Sequence, residues 1–110
     1  TAAAVAKERW ELTVPPTDNQ ERLAFLQALA DKVNKPGSQD AYVYATVAVA
    51  DVQLQLGDYD GARKKLDECE RILDTFDSVE TVVHASFYRV NAEYYKVTLS
   101  FIPPSTAQDI

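Results

Sequence analysis

Hydrophobic residues recur with the spacing of a helix in four stretches of this chain, residues 19–34, 40–56, 60–75 and 79–98. In each stretch apolar side chains return every three or four residues, which places them on one side of an α-helix. The residues between the stretches are of the kinds that stop helices, mainly glycine, proline, aspartate and serine. The pattern therefore predicts four α-helices joined by short turns.

The stretch 40–56 differs from the others because it is apolar on two sides. Its valines also suit a buried strand, but a strand has about 5–6 residues and this stretch contains no turn signal. We therefore interpret it as a helix that neighbouring helices cover on both sides. The two predicted stripes are Tyr42, Ala45, Val49, Val52 and Leu56, and Val43, Val47, Ala50 and Leu54.

Gly57 separates this helix from the next one. Glycine adopts at little cost the left-handed backbone that ends many helices. Gly57, Tyr59 and Ala62 also have the glycine, tyrosine and alanine spacing of tetratricopeptide-type repeats. The segment predicts a helical hairpin with a very short turn. On this interpretation Gly61→Ala, one residue inside the next helix, is expected to be neutral or mildly stabilising.

Side chains that can cap a helix precede three of the predicted helices. Aspartate, serine and threonine accept hydrogen bonds from the amide groups that the first turn of a helix leaves without partners. The candidate caps are Thr17 or Asp18 for 19–34, Ser38 or Asp40 for 40–56, and Asp58 or Asp60 for 60–75.

The predicted fold class is all-α, with antiparallel helix pairs stacked as a segment of a tetratricopeptide-like α-solenoid. Residues 1–17 are predicted to be the end of an N-terminal helix and a proline linker, and residues 18–98 the helical-repeat segment. Residues 99–110, with two prolines and no helical period, are predicted to be an irregular C-terminal tail. The chain is expected to begin and end inside a longer array of repeats.

The composition of the chain argues against a nucleic-acid-binding or membrane-spanning protein. The 110 residues carry a formal net charge of −6, which argues against a nucleic-acid partner. No apolar run approaches the ~18 residues of a membrane span, so no membrane partner is expected. The single cysteine, Cys69, cannot form an internal disulfide and suits a reducing compartment. We expect a protein of the cytoplasm and nucleus.

The residues that could form a catalytic or metal site lack the partner residues that such a site requires. His84 is the only histidine, and a packing role is favoured over a catalytic or metal site. Cys69 lies on an apolar stripe and is expected to be a buried hydrophobe. The short run Asp58–Gly61 resembles a calcium loop only weakly, and a capping role fits it better. The sequence therefore predicts no enzyme, catalytic residue, cofactor, metal or small-molecule substrate.

The helix predicted over 79–98 is the best candidate for an interface. We expect only the preceding helix to lie beside it within this chain, so its remaining face should be buried by a following repeat. The isolated chain is accordingly expected to be marginally stable or to self-associate. The basic run Arg63-Lys64-Lys65, in contrast, is interpreted as a solvated surface because acidic residues surround it. The predicted interface residues are Tyr88, Asn91, Tyr95 and Val97.

Three motifs together resemble a known family. They are the run Glu21-Arg22-Leu23-Ala24-Phe25-Leu26, the turn Leu56-Gly57-Asp58, and Val82-Val83-His84-Ala85-Ser86-Phe87-Tyr88 followed by Tyr94-Tyr95-Lys96. The chain resembles, over roughly residues 21–97, the ninth non-ATPase subunits of the proteasome regulatory particle, called non-ATPase subunit thirteen in animals. The most specific part is His84-x-x-Phe87-Tyr88 with the later tyrosine pair.

The resemblance implies an N-terminal α-solenoid that leads to a winged-helix PCI domain, of which this sequence has no counterpart. It implies a non-catalytic structural role in the lid of the 26S proteasome, in ubiquitin-dependent protein degradation, with other lid subunits as partners. The alternative from the residues alone is a free-standing tetratricopeptide-like module for protein–protein interaction. Its inner groove would need Lys, Arg or Asn side chains, and the stretch 40–56 has none.

Overall fold

The computed structural model describes residues 18–99, and the four predicted helices are all present there. They are α1 (Asn19–Val33), α2 (Gln39–Gln55), α3 (Tyr59–Thr75) and α4 (Thr81–Leu99). Every regular element among the described residues is a helix, so the predicted all-α fold is confirmed. The predicted bounds are accurate to within two residues, the largest difference being the start of α4.

Leu99 is the only residue assigned to the two predicted terminal segments that the structure describes. Residues 1–17 and 100–110 lie outside the described part of the chain, so both predictions about them remain predictions. Leu99 was assigned to the irregular tail, and that assignment is wrong because Leu99 is the last residue of α4. The Thr98 hydroxyl donates a hydrogen bond of 2.8 Å to the Tyr94 carbonyl, a bond within the final turn of this helix.

The predicted caps are confirmed at α1 and α3 but not at α2. Asp18 accepts a hydrogen bond of 2.8 Å from the Gln20 amide, and Asp58 accepts one of 3.0 Å from the Gly61 amide. Ser38 occupies the cap position of α2 without a side-chain capping bond. The Asp40 carboxylate instead accepts a hydrogen bond of 3.1 Å from the backbone amide of Glu80. It therefore ties the start of α2 to the loop that precedes α4.

The turn between α2 and α3 has the predicted left-handed glycine. Gly57 has a φ of +81°. Its amide donates to the Leu54 carbonyl at 3.1 Å, and the Asp58 amide donates to the Gln53 carbonyl at 2.9 Å. This pair of bonds is the Schellman motif, which satisfies carbonyls that the end of a helix leaves without partners. Asp58 both completes this motif and caps α3, which explains why the turn is so short.

The core is built around α2, in which ten of seventeen residues are buried, more than in any other described helix. One apolar side of α2 packs on α1, where Leu26 meets Val49 and Val52. The other side packs on α3 and α4. That larger cluster contains Val43, Val47, Ala50, Leu54, Ala62, Leu66, Cys69, Leu73, Val79, Val83, Phe87 and Val90. The prediction that α2 is covered on both sides is confirmed.

The helices stack in the manner of an α-solenoid. α2 contacts α1, α3 and α4, and α4 contacts both α2 and α3. The expectation that α4 would have only the preceding helix beside it is therefore wrong. The cause is the second apolar side of α2, which is wide enough to receive α3 and α4 together. The stacked helix pairs agree with the predicted solenoid segment.

The structure revises the prediction for Gly61→Ala. A Cβ atom at Gly61 would lie 2.7 Å from Cγ of Asp58 and 2.8 Å from Nε2 of the buried Gln53. The methyl group would thus displace the capping carboxylate. Loss of a cap costs about 1 kcal/mol, so we expect Gly61→Ala to lower the free energy of unfolding by about this amount, measured by urea denaturation.

Asp58→Ala provides the matched background for this measurement. Once the carboxylate is gone, Gly61→Ala has less to displace and should cost less than in the original chain, because the two positions are coupled. A higher free energy of unfolding for Gly61→Ala alone would show instead that the gain in helix propensity outweighs the cap.

Candidate functional site

The four predicted interface residues do not share one face of α4. Tyr88 and Tyr95 have 63% and 49% of their surface exposed, and Asn91 lies between them on the side toward α3. Val97 follows Tyr88 by nine residues, or about two and a half helical turns, and so lies on the opposite side. The structure therefore brings Tyr88, Asn91 and Tyr95 together and separates Val97 from them.

Val97 instead contributes to a groove between α2 and α4 with a volume of about 370 Å³. Across this groove Arg89 and Asp51 form an ion pair of 3.8 Å, in which the arginine side chain is 66% exposed. An exposed pair at this distance contributes little to stability. The other lining residues are Leu54, Gln55 and Glu93.

The outward side of α4 is more apolar than the sequence analysis predicted. Val82 and Leu99 each have 58% of their surface exposed. For Leu99 the signal was available in the sequence, because Leu99 follows the buried Val90 by nine residues and so lies on the opposite side of the helix. Val82 lies only about a quarter of a turn from Val83 and Val90, so the sequence alone does not predict its exposure. We call this surface the outer face of α4. Its apolar residues are Val82, Ala85, Tyr88, Ala92, Tyr95 and Leu99, and the exposed Arg89 and Lys96 lie on the same side of the helix.

Arg63 of α3 lies at the edge of the outer face and is not the solvated residue that was predicted. Its side chain is only 21% exposed, and both Nε and Nη2 lie 2.9 Å from Oδ1 of Asp67. Nη1 donates a hydrogen bond of 3.1 Å to Oδ1 of Asn91. The guanidinium carbon also lies 4.8 Å from the ring centre of Tyr94 and 5.5 Å from that of Tyr95. Arg63 thus connects α3 to the C-terminal half of α4.

Sequence reasoning missed this contact because it crosses between helices. The spacing of Arg63 and Asp67 on one helix indicates an ion pair, which is usually weak at a surface. Nothing in the linear sequence shows that Asn91 and the rings of Tyr94 and Tyr95 reach the same guanidinium. These two rings also meet edge to face, with centres 5.3 Å apart and an angle of 79° between their planes.

His84 packs beside the outer face. Its ring stacks against that of Tyr88, with centres 6.5 Å apart and an angle of 30° between the planes. Tyr88 in turn meets the buried ring of Phe87 edge to face at 5.5 Å. These contacts agree with the packing role favoured for His84. Among residues 18–99, no group of three or more His, Cys, Asp and Glu side chains could hold a metal ion.

The buried cysteine has the properties of a structural residue. Cys69 is fully buried, its sulfur lies 4.0 Å from the Val43 carbonyl, and burial raises the pKa of its thiol to about 12, with a further contribution from the negative charge of Glu68. The thiolate is the nucleophilic form. A protonated, buried thiol is therefore unsuited to nucleophilic chemistry.

Glu68 also interacts with α2. It accepts a hydrogen bond from the Tyr42 hydroxyl. Burial and this hydrogen bond raise the pKa of Tyr42 to about 12, so the hydroxyl keeps its proton and remains a donor. This contact fixes α2 to α3 on the side of the hairpin opposite the turn.

None of the helices in the described range is long and apolar enough to cross a membrane.

Comparisons with known proteins agree with the repeat architecture. A family model described as PSD13 N-terminal repeats matches residues 5–102. This range includes residues 21–97, over which the sequence resembles the family, and extends beyond them at both ends. No solved structure matches the chain.

Three curated relatives are proteasome subunits. The chain is 37% identical over 83 residues to the "Probable 26S proteasome regulatory subunit rpn9" of Schizosaccharomyces pombe, covering 76% of this chain and 22% of that protein. It is 24% identical over 88 residues to the "26S proteasome non-ATPase regulatory subunit 13 homolog A" of Arabidopsis thaliana, covering 77% and 23%. It is 28% identical over 85 residues to the "26S proteasome non-ATPase regulatory subunit 13" of Dictyostelium discoideum, covering 71% and 20%.

The chain therefore spans about a fifth of the length of these relatives. The family match, in contrast, includes nearly all of the chain and every described helix. By this match, the chain belongs to the family of PSD13 N-terminal repeats.

Proposed function

We propose that this chain is a non-catalytic, helical-repeat segment of the lid of the 26S proteasome regulatory particle. In this role it contributes a scaffold to ubiquitin-dependent protein degradation. The observation that carries the proposal is the family match over residues 5–102. The names of the relatives from a yeast, a plant and an amoeba, all proteasome regulatory subunits, support the same assignment.

The partners in this proposal are other subunits of the lid, and the compartments are the cytoplasm and nucleus, where a protein with a reduced cysteine fits. No nucleic acid, membrane or small molecule enters it. A free-standing interaction module is not favoured, because the relatives are named as subunits of a larger assembly.

We further propose that the outer face of α4 packs against the next helical repeat of the full-length subunit. α2 provides the precedent, since the preceding helix α1 covers one of its sides and the following helices α3 and α4 cover the other. α4 packs on α2 and α3, but its outer face exposes four large apolar side chains, Val82, Tyr88, Tyr95 and Leu99. Large exposed apolar patches usually mark interaction sites. Tyr88, Asn91 and Tyr95 remain in this proposal, and Val97 does not.

The assignment to the proteasome is tested by purifying 26S proteasomes from the source cells through a different, tagged subunit. Mass spectrometry should detect this chain in the same proportion as the regulatory-particle subunits. The matched control is a purification from cells without the tag. A chain that is abundant in the lysate and absent from the purified proteasomes would contradict the proposed function.

The outer face is tested by sedimentation velocity of the 110-residue chain. The chain should self-associate, and the double variant Tyr88→Glu, Leu99→Glu should be a monomer of unchanged helix content, because charges on the face oppose its burial. The charge-matched control is Gln20→Glu, Gln27→Glu, which alters exposed residues of α1. A wild-type monomer with a sharp unfolding transition would argue against the open array and for an independent module.

A further inference from the structure

We infer that Arg63 is a positioning residue that holds Asn91 and Tyr95 in one conformation before the outer face of α4 meets its partner. This inference rests on the proposed docking of that face. The guanidinium is planar, so its edge can donate hydrogen bonds while its faces stack on aromatic rings. Arg63 has both kinds of contact, with Asp67 and Asn91 at its nitrogens and with two tyrosine rings around its carbon.

The geometry places Arg63 between the buried and the exposed parts of α4. Tyr94 packs against the core, whereas Tyr95 is about half exposed. Arg63 contacts both rings, at 4.8 Å and 5.5 Å from their centres. The position of Tyr95 is thereby tied through Arg63 and Tyr94 to the packed interior.

Ordering Tyr95 in advance favours docking. A surface side chain that becomes fixed in an interface loses rotamer freedom, and this loss opposes association. Tyrosine with a fixed ring loses less when it is buried. Arg63 therefore acts through Tyr95 and Asn91, and it need not contact the partner itself.

The contacts of Arg63 also indicate what kind of surface the partner presents. The positive charge is balanced by Asp67 at 2.9 Å, and a third nitrogen is occupied by Asn91. Arg63 thus does not offer an unpaired cation to an acidic segment. The outer face beside it presents tyrosine rings, methyl groups and leucine, which fits an apolar helix surface such as that of another repeat.

The test is Arg63→Lys in the 110-residue chain. Lysine keeps the charge but lacks the planar group that can bond Asp67 and Asn91 while it contacts the rings. The matched control is Arg71→Lys, an exposed arginine on the same helix. The first readout is the NMR spectrum of the tyrosine rings, with the signals of Tyr95 assigned by Tyr95→Phe. The second is the self-association constant from sedimentation.

Arg63→Lys should retain the helix content and shift the Tyr95 ring signals toward those of a freely rotating, exposed tyrosine. Self-association through the outer face should become about three to ten times weaker, the cost of ordering one side chain. Arg71→Lys should change neither readout. Ring signals that are the same in Arg63→Lys and the original chain would overturn the inference, and so would unchanged association despite a released Tyr95.

The two proposals fail in different ways. If the original chain does not self-associate, the docking role of the outer face is contradicted. The ring signals of Arg63→Lys still report whether Arg63 positions Tyr95. If the chain self-associates but the Tyr95 ring signals do not change in Arg63→Lys, only the positioning role of Arg63 is contradicted.

Discussion

Leu66→Ala is expected to lower the free energy of unfolding by about 3 kcal/mol, within the range of about 2–5 kcal/mol for buried leucines. Leu66 is fully buried in α3, within the cluster that joins α2, α3 and α4. Its replacement removes apolar contacts and leaves a cavity that three helices would have to move to fill. Small domains have about 5–15 kcal/mol of stability in total, so the effect should be large in urea denaturation.

The control for this substitution is Leu99→Ala, because Leu99 has 58% of its surface exposed. It should change the free energy of unfolding by less than about 0.5 kcal/mol at concentrations where the chain is monomeric. Equal losses at the two positions would mean that Leu66 is not in the centre of the core. A change in the slope with urea would indicate that the transition is no longer two-state.

Gly57→Val is expected to lower the free energy of unfolding by more than about 1 kcal/mol, because a β-branched residue is strained at positive φ. Nothing lies within 4 Å of a Cβ atom at this position. The expected loss therefore comes from the backbone conformation and not from a collision. Thermal unfolding followed by circular dichroism at equal protein concentrations would measure it.

Gly57→Asn distinguishes backbone strain from a steric collision as the cause of the loss. Asparagine tolerates the left-handed conformation better than other residues with a side chain. It should be less destabilising than valine. Equal melting temperatures for the valine variant and the original chain would mean that α2 can end with a different turn. An asparagine variant as unstable as the valine variant would point to a steric cause.

Those parts of the fold that depend on local chemistry could be predicted from the sequence. Gly57 and Asp58 mark the end of one helix and the start of the next. The hydrogen bonds of the turn all lie between residues 53 and 61, so they depend on local sequence. The two apolar sides of α2 were visible because each repeats with the period of a helix. Both were covered in the structure, one by α1 and the other by α3 and α4.

The parts that could not be predicted depend on how helices pack against one another. The sequence predicts that Asp40 caps a helix, yet its carboxylate accepts a hydrogen bond from the backbone amide of Glu80, 40 residues away. Arg63 is surrounded by acidic residues in the sequence, yet three of its contacts are on α4. Val97 is a different case, because the nine residues that separate it from Tyr88 already place the two on opposite sides of one helix.

The two longer connections in the described chain differ in their tolerance of inserted residues. Asn34–Gly37 is exposed throughout, and a glycine there with φ of +82° has open space around it. A peptide tag placed there would extend into solvent. In the connection before α4, Val79 is buried in the core and Glu80 is bound to Asp40. An insertion between them would break either the packing of Val79 in the core or the hydrogen bond between Glu80 and Asp40. It would also change the angle at which α4 leaves the hairpin, and with it the direction in which the outer face of α4 points.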